Sequence, residues 1–415
     1  MTKQSRDPLN LIWIFLFLCA FVFAWIGLLR GQNDIFTNII KSTFDLSKLA
    51  FEISIGLTGA LCLWMGIMRI GENAGFIQML TKLFRPLFRK IFPEVPDDHP
   101  ALGSITVNMA ANMLGLDNAA TPSGLKAMKE LQSLNATPDT ASNAQILFLV
   151  INTSAVTIIP VTIFAYRAQQ GAANPTDVFI PILISTFAST FFGFLSVAWI
   201  QKIKILDKVI LSYLGSLLAI VMGALLYFQS LSPQEIETQS GMISSVLLVS
   251  VIVSFIVAAM RKKVNVYESF VEGAKGGFEL AITIIPYLVA MLVAIGVFRA
   301  SGAMDFLLDA VRAFFSFLHI NADFVDALPT ALMKPLSGSG ARGLMFEAME
   351  TFGADSFVGR LASVVQGSTE TTFYVLAVYF GSVGIKKTRY AAPCGLIADA
   401  AGIITAIFVS YLFFY

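Results

Sequence analysis

The sequence predicts an all-α integral membrane protein. It calls for about nine transmembrane helices, two re-entrant helical hairpins and two interfacial amphipathic helices, arranged as two inverted-topology repeats. Three observations predict this. The chain is 56% hydrophobic and only 13% charged over 415 residues, too little charge to cover a water-soluble domain of that size. Its apolar residues come in runs of about twenty, the length that crosses a bilayer core as a helix. The strongly basic loops all fall on one side once those runs are threaded through a membrane.

Composition also removes several functions. A net charge of +1 supplies no basic field for nucleic acid, so none is expected as a partner. Cys19, Cys62 and Cys394 sit in apolar segments without CxxC spacing and read as small apolar residues. With only His99 and His319, neither a zinc enzyme nor a Ser-His hydrolase finds support. No metal, cofactor or enzymatic activity is expected, apart from a coupling Na+ or H+.

The apolar run after the polar first ten residues is too long for a signal-peptide core and lacks an A-x-A site, so it is expected to be a retained first span. The crossings fall at roughly 9–29, 48–70, 140–166, 177–201, 209–229, 241–260, 275–298, 357–384 and 390–413. With the N-terminus inside, the second span returns to Lys82, Arg85, Arg89 and Lys90. The fourth returns to Lys202, Lys204 and Lys208, the sixth to Arg261, Lys262 and Lys263, and the eighth to Lys386, Lys387 and Arg389. The fifth exits to Glu235 and Glu237. This threading places the C-terminus outside. It requires the segments at roughly 99–133 and 322–352, each interrupted by Gly, Pro, Asn or Ser, to enter and leave on one face as re-entrant hairpins.

The chain also matches itself. MRIGENAGFIQML around Arg69 parallels FRASGAMDFLLDA around Arg299, with Phe76 and Phe306 each seven residues on. Each opens an amphipathic stretch, 76–92 and 306–320, of the kind that lies at an interface. PSGLKAMKEL parallels ARGLMFEAMET, and INTSAVTIIPVTIFAYR parallels QGSTETTFYVLAVYFGS. Pro181 and Pro393 then open the last span of each half. Residues 1–205 form the first repeat, 206–235 a connector span and 236–415 the second repeat, which the odd connector turns upside down. Inverted repeats with broken helices near the midplane recur in secondary transporters.

Polar residues concentrate where those breaks fall. The first hairpin carries Asn108, Asn112, Asp117, Asn118, Thr121 and Ser123; Asn108 and Asn112 share a helical face. Pro122 and Gly124 are expected to break the helix and free backbone groups. Helix–helix glue is the bland alternative. The third span carries Asn152, Thr153, Ser154 and Thr157 ahead of Pro160. In the second hairpin, KPLSGSGARG holds Lys334, Ser337, Ser339 and Arg342, with Gly338, Gly340 and Gly343 expected to form a tight tip. The alternative places Arg342 at the headgroups. The motif lacks the G-x-x-x-x-G-K pattern, which argues against an ATPase. The eighth span sets Gln366, Ser368, Thr369, Glu370, Thr371 and Thr372 at mid-depth, and an ionisable residue there is by default functional. Asp399 in the last span is a second candidate, against the alternative of a position near the inner interface.

The stretch NMAANMLGLDNAATPSGLKAMKEL resembles spore maturation protein A. VYESFVEGAKGGFELAITIIPYLVAML, KPLSGSGARG and VVQGSTETTFYVLAVYFGSVGIKKTRYA resemble spore maturation protein B. The chain looks like a natural fusion of the two, within the nucleoside-recognition or gate-domain group that includes parts of concentrative nucleoside transporters. That resemblance implies an elevator-like transporter in a bacterial cytoplasmic membrane. Asn112, Asn118, Asn152, Thr153, Ser337, Ser339, Thr369 and Glu370 would then stand where such proteins hold substrate and ion. The expected partners are the lipid bilayer, a small polar solute and further copies of the chain. An uncoupled channel, a non-transporting scaffold for spore or envelope maturation, and an intramembrane enzyme using Asp117 and Asp399 are the competing readings.

Overall fold

The computed structural model describes residues 8–115, 117–154 and 157–415. In chain order its helices are α1 (Pro8–Leu29), α2 (Ile35–Asn73), α3 (Phe76–Ile91), α4 (Pro100–Met113), α5 (Asp117–Ser133), α6 (Asn143–Ser154), α7 (Val161–Gln169), α8 (Phe179–Gln201) and α9 (Lys208–Gln229). There follow α10 (Pro233–Arg261), α11 (Val266–Ala300), α12 (Ala303–Phe317), α13 (Leu328–Met333, entered through a 3-10 turn), α14 (Gly338–Phe352), α15 (Phe357–Ser368), α16 (Thr372–Ser382) and α17 (Ala391–Phe414). Among the described residues, seven are long and apolar enough to cross a membrane: α1, α2, α8, α9, α10, α11 and α17. The chain is an all-helical, multi-pass membrane protein.

Helix starts follow local chemistry. Asp207 accepts from the Val209 amide, Asn265 from Glu268 and Ser356 from Gly359, each filling a donor that the first turn leaves open. Glu235 reaches back to the Ser232 amide at the head of α10. One helix departs from the hydropathy reading. The second span does not begin near 48. Its helix starts at Ile35 and carries Lys41, Asp45, Lys48 and Glu52 before the apolar run. A hydropathy window finds the part suited to oil, whereas hydrogen bonding continues the helix past it.

The expected third and eighth crossings are not continuous helices. Each is a pair of short ones, α6 with α7 and α15 with α16, interrupted beside Pro160 and at Thr369–Thr371.

Two helix pairs form the frame. α2 and α11 run antiparallel along most of their lengths, with Gly296 against Leu46, Gly277 against Cys62 and Gly66 against Phe270. A Cβ on Gly273 would approach the Met65 carbonyl oxygen to 2.3 Å, and one on Gly277 the Leu61 carbonyl oxygen to 2.6 Å. Small residues four apart let the two backbones touch, which is how helices associate where hydrophobicity offers no drive. Gly277→Leu is therefore expected to destabilise the fold by about 1–3 kcal/mol through overpacking, read as a lower melting temperature in detergent. An unchanged melt would mean that this contact is not made. α8 and α17 are also antiparallel, with Gly193 on Ala398 and Gly402 on Ser189.

The remaining contacts come in matching sets. α1 packs on α11 and α12, where Trp13 Nε1 donates to Ala290 O at 3.1 Å and Phe23 meets Phe306. Correspondingly, α10 packs on α2 and α3, where Phe255 meets Gly71 and Phe76. At one end of the broken helices, the α5–α6 loop pairs with the α16–α17 loop. There the Ala141 amide donates to Lys387 O, and the amides of Lys386 and Lys387 donate to Asp139 O. At the other end, the α7–α8 and α14–α15 loops meet through Arg167, Asp177 and Asp355. The buried apolar residues form two clusters, and each takes members from both halves of the chain.

Candidate functional site

Where the helices stop, main-chain amides and carbonyls lose their partners, and they find one another. α4 turns into α5 at Gly115, whose φ of 69° suits a residue without Cβ. At that turn Met113 O accepts the Ile158 amide at 2.8 Å, so the first hairpin tip is bonded to the α6–α7 break. The second hairpin does the same: Pro335 O accepts the Phe373 amide, 3.1 Å away, just past the α15–α16 break. The two breaks are joined directly, since the Glu370 amide donates to Thr153 O at 2.7 Å. Four unwound segments thus close on each other in the interior, which is where non-helical backbone survives in a membrane protein.

Two details of the hairpins correct the sequence expectation. Pro122 and Gly124 do not break the chain; α5 continues through both, because the reversal has already been made at Gly115. Gly338, Gly340 and Gly343 do not form the second tip either. They begin α14, and Gly340 and Gly343 lie against Met291 of α11. The tip is Lys334–Ser337, and the glycines serve close helix packing.

The first polar cluster is an amide chain. Asn108 Nδ2 donates to Ala120 O at 2.7 Å and fastens α4 to α5. Asn112 Nδ2 donates to Asn152 Oδ1 at 2.9 Å, and Asn152 Nδ2 donates to Phe148 O. Thr153 is buried, as is Ser154, whose hydroxyl donates to Ile151 O. Thr121 is exposed on α5, away from this group. The side chains of Asp117 and Asn118 lie outside the described residues.

The second cluster surrounds the α15–α16 break. Ser337 Oγ accepts the Gly340 amide and lies 3.3 Å from Ser339 Oγ. Arg342 is half-buried with its guanidinium over the Tyr166 ring, rather than standing out among headgroups. Gln366, Ser368 and Thr369 are buried, and Ser368 Oγ donates to Val365 O. Glu370 occupies the break itself with its side chain exposed. Asp399 lies within α17. It is buried and accepts a hydrogen bond from Thr372 Oγ1 at 2.6 Å, with Lys334 and Glu370 in electrostatic reach. Lys334, at the hairpin tip, is itself buried.

Sequence reasoning passed over two groups. Ser189 of α8 faces Gly402 beside Thr369; a lone serine in an apolar helix gives no signal. Arg167, Asp177, Asp355 and Arg360 form an ion network around the buried Arg167 and Asp177, with Arg167 ion-paired to both aspartates and donating to Ala354 O, and Arg360 Nε 2.7 Å from Asp177. Its one advance sign was an arginine closing a polar-centred span.

The profile of the nucleoside-recognition Gate family matches residues 54–170 and 281–386. Spore maturation protein B of Bacillus subtilis (strain 168) is 50% identical over 172 residues, covering 41% of this chain and 95% of that protein. Spore maturation protein A of the same organism is 40% identical over 181 residues, covering 43% of this chain and 89% of that protein. No solved structure matches.

Proposed function

Since this chain belongs to the nucleoside-recognition Gate family, we propose that it is a secondary transporter of a small polar solute, nucleoside-like or another metabolite. It works in an elevator manner and is coupled to an ion. The observation that carries this reading is the mutual bonding of the two hairpin tips and the two helix breaks. Such backbone needs an interior polar environment, and helix breaks of this kind hold substrates and ions in transporters built from inverted repeats.

The matching contacts support an inverted repeat. Equivalent helices, α2 with α11 and α8 with α17, pack against each other antiparallel, as a two-fold axis lying in the membrane plane requires. On this reading nine crossings are made, seven by continuous helices and two by broken ones. The hairpins dip from opposite faces, and α3 and α12 lie at the two interfaces. The protein sits in a bacterial cytoplasmic membrane with its N-terminus inside and its C-terminus outside.

Topology is testable by itself. With the three native cysteines replaced by alanine, Thr137→Cys is expected to react with an impermeant maleimide only from inside, and Ala173→Cys only from outside. Labelling of both from one side would overturn the inverted arrangement. For function, purified protein is screened by thermal shift against nucleosides, bases, amino acids and dicarboxylates, and any stabilising solute is then assayed for uptake into proteoliposomes. A stabilising class that also accumulates is the expected result. Protein that no solute stabilises would favour a scaffold, and voltage-independent currents an uncoupled pathway.

A further inference from the structure

Between the end of α8 and the start of α9 the surface opens into a cavity of about 740 Å³. Its lining joins two chemistries. Trp199, Ile203, Ile205 and Leu206 make apolar walls, while Lys202 and Lys204 carry charge. Asp207, also in the lining, is already engaged: it pairs with Lys90 of α3 at 3.2 Å and caps α9 through the Val209 amide. Among the described residues neither Lys202 nor Lys204 forms an ion pair. Ile203 between them is buried and anchors the loop, and the lysine on either side of it is exposed. Trp199 and Leu206 are 83% and 85% exposed. α9 leaves the cavity uncovered, since along it only Ile210 and Phe228 are buried. Both α8 and α9 are long and apolar enough to cross a membrane. The turn between them therefore stands at the boundary of oil and water, where tryptophan collects and lysine stems reach from one to the other. A helix C-terminus favours nearby cations. That accounts for lysines after α8, but not for a cavity that sets them among exposed large apolar side chains.

We propose that this cavity binds one anionic glycerophospholipid, its phosphate between Lys202 and Lys204 and its acyl chains along Trp199 and Leu206. Charge complementarity selects the head. Two ammonium groups without internal partners match a phosphate whose charge no cation of its own cancels, whereas a zwitterionic head brings its own cation and gains less. The walls select the tail, because a free phosphate would leave Trp199 and Leu206 facing water. Basic pockets beside membrane helices bind anionic lipid heads in this way. The volume lies within the roughly 300–1,000 Å³ typical of small-molecule sites, so the site takes one molecule. Through Asp207 and Lys90 it is continuous with the basic last turn of α3. A lipid seated there braces α9, the connector between the two halves, against α8 and α3. This binding stands apart from the transporter reading.

Trp199 is itself the reporter. With Trp13, Trp25 and Trp64 replaced by phenylalanine it is the sole tryptophan. The purified full chain in a non-ionic detergent is titrated with phosphatidylglycerol carrying brominated acyl chains, and separately with the matched phosphatidylcholine. Phosphatidylglycerol is expected to quench Trp199 emission at a concentration at least tenfold lower. A lysine beside an anionic lipid surface accounts for about fivefold in binding. The Lys202→Ala, Lys204→Ala double variant should therefore lose most of that preference and keep the phosphatidylcholine curve. Lys262→Ala with Lys263→Ala, the same charge loss on the exposed α10–α11 loop, should retain the preference. Equal quenching by both lipids overturns the site. So does a preference that survives the first double variant or falls equally in the second. Relief of quenching by inorganic phosphate at matching concentration assigns a free anion and overturns the lipid. A chain that runs as a dimer with Trp199 shielded from both lipids overturns it too, and gives the face to a second copy. Should the phenylalanine variant fail to fold, native mass spectrometry of the chain with its four tryptophans reads the same comparison, as phosphatidylglycerol retained by the native chain and lost from the Lys202→Ala, Lys204→Ala variant.

Discussion

Arg167→Met is expected to destabilise the protein by about 3–5 kcal/mol, the effect of removing one partner from a buried ion pair. Arg167 is fully buried. Its guanidinium lies 3.0 Å from Asp177 and 3.1 Å from Asp355, and donates to Ala354 O. Asp177 is also buried and shared with Arg360. The four charges cancel as they stand. Without Arg167 one negative charge remains in excess beside a carboxylate that water cannot reach, and the Ala354 carbonyl loses its donor. Methionine keeps most of the volume, so the loss measures charge and hydrogen bonding more than packing. Unfolding in detergent is the readout. Asp177→Asn on top of Arg167→Met should recover part of the loss, since the stranded charge is then gone. If the single substitution changes stability by less than about 1 kcal/mol, the network is hydrated and the buried reading is wrong.

Helices were legible wherever the pattern came from a face turned to oil. α1, α8, α9 and α17 lie where their apolar runs are, because those runs are what the bilayer selects. The amphipathic stretches 76–92 and 306–320 became α3 and α12 for a similar reason: Ile77, Leu80 and Phe88 line one face of α3 while its arginines take the other. The errors occurred where backbone pairing, not hydropathy, decides. A proline at 122 reads as a breaker, yet the turn had already been placed at Gly115. The glycines at 338, 340 and 343 read as a loop, yet two of them make room for Met291. A glycine that turns the chain and one that admits a neighbouring helix look alike in a single sequence; only the neighbour distinguishes them.

Site residues divide along the same line. Asn108, Asn112 and Asn152 stood out because amides are rare in apolar runs, and the structure joins them through hydrogen bonds that span three helices. That pairing also shows a structural use for them, which spacing alone did not reveal. Asp399 stood as a second candidate against a position near the inner interface; its burial, and its bond from Thr372 Oγ1, depend on helices packed over α17 that its own segment does not announce. Ser189 gave no signal, since only the crossing of α8 and α17 places it against Gly402.

Glu370→Gln is the converse of Arg167→Met: uptake of the solute found in the ligand screen should fall at least tenfold while the melting temperature stays within a degree or two of the native value. The main chain at this position is fixed by its amide bond to Thr153 O, which a glutamine would keep. Its side chain is exposed at a helix break, so no packed core is disturbed, and the isosteric amide removes only charge. A carboxylate is expensive where it meets lipid hydrocarbon. On the transporter reading, an exposed carboxylate where four unwound segments meet faces a polar path, and its charge acts on the solute that moves. A stable variant with native uptake would show that Glu370 faces solvent to no purpose, and would shift the search to Lys334 and Asp399. A variant that melts early would instead place Glu370 within the charge balance of that pair, making its role structural. Comparing melting with uptake distinguishes a residue that builds the break from one that uses it.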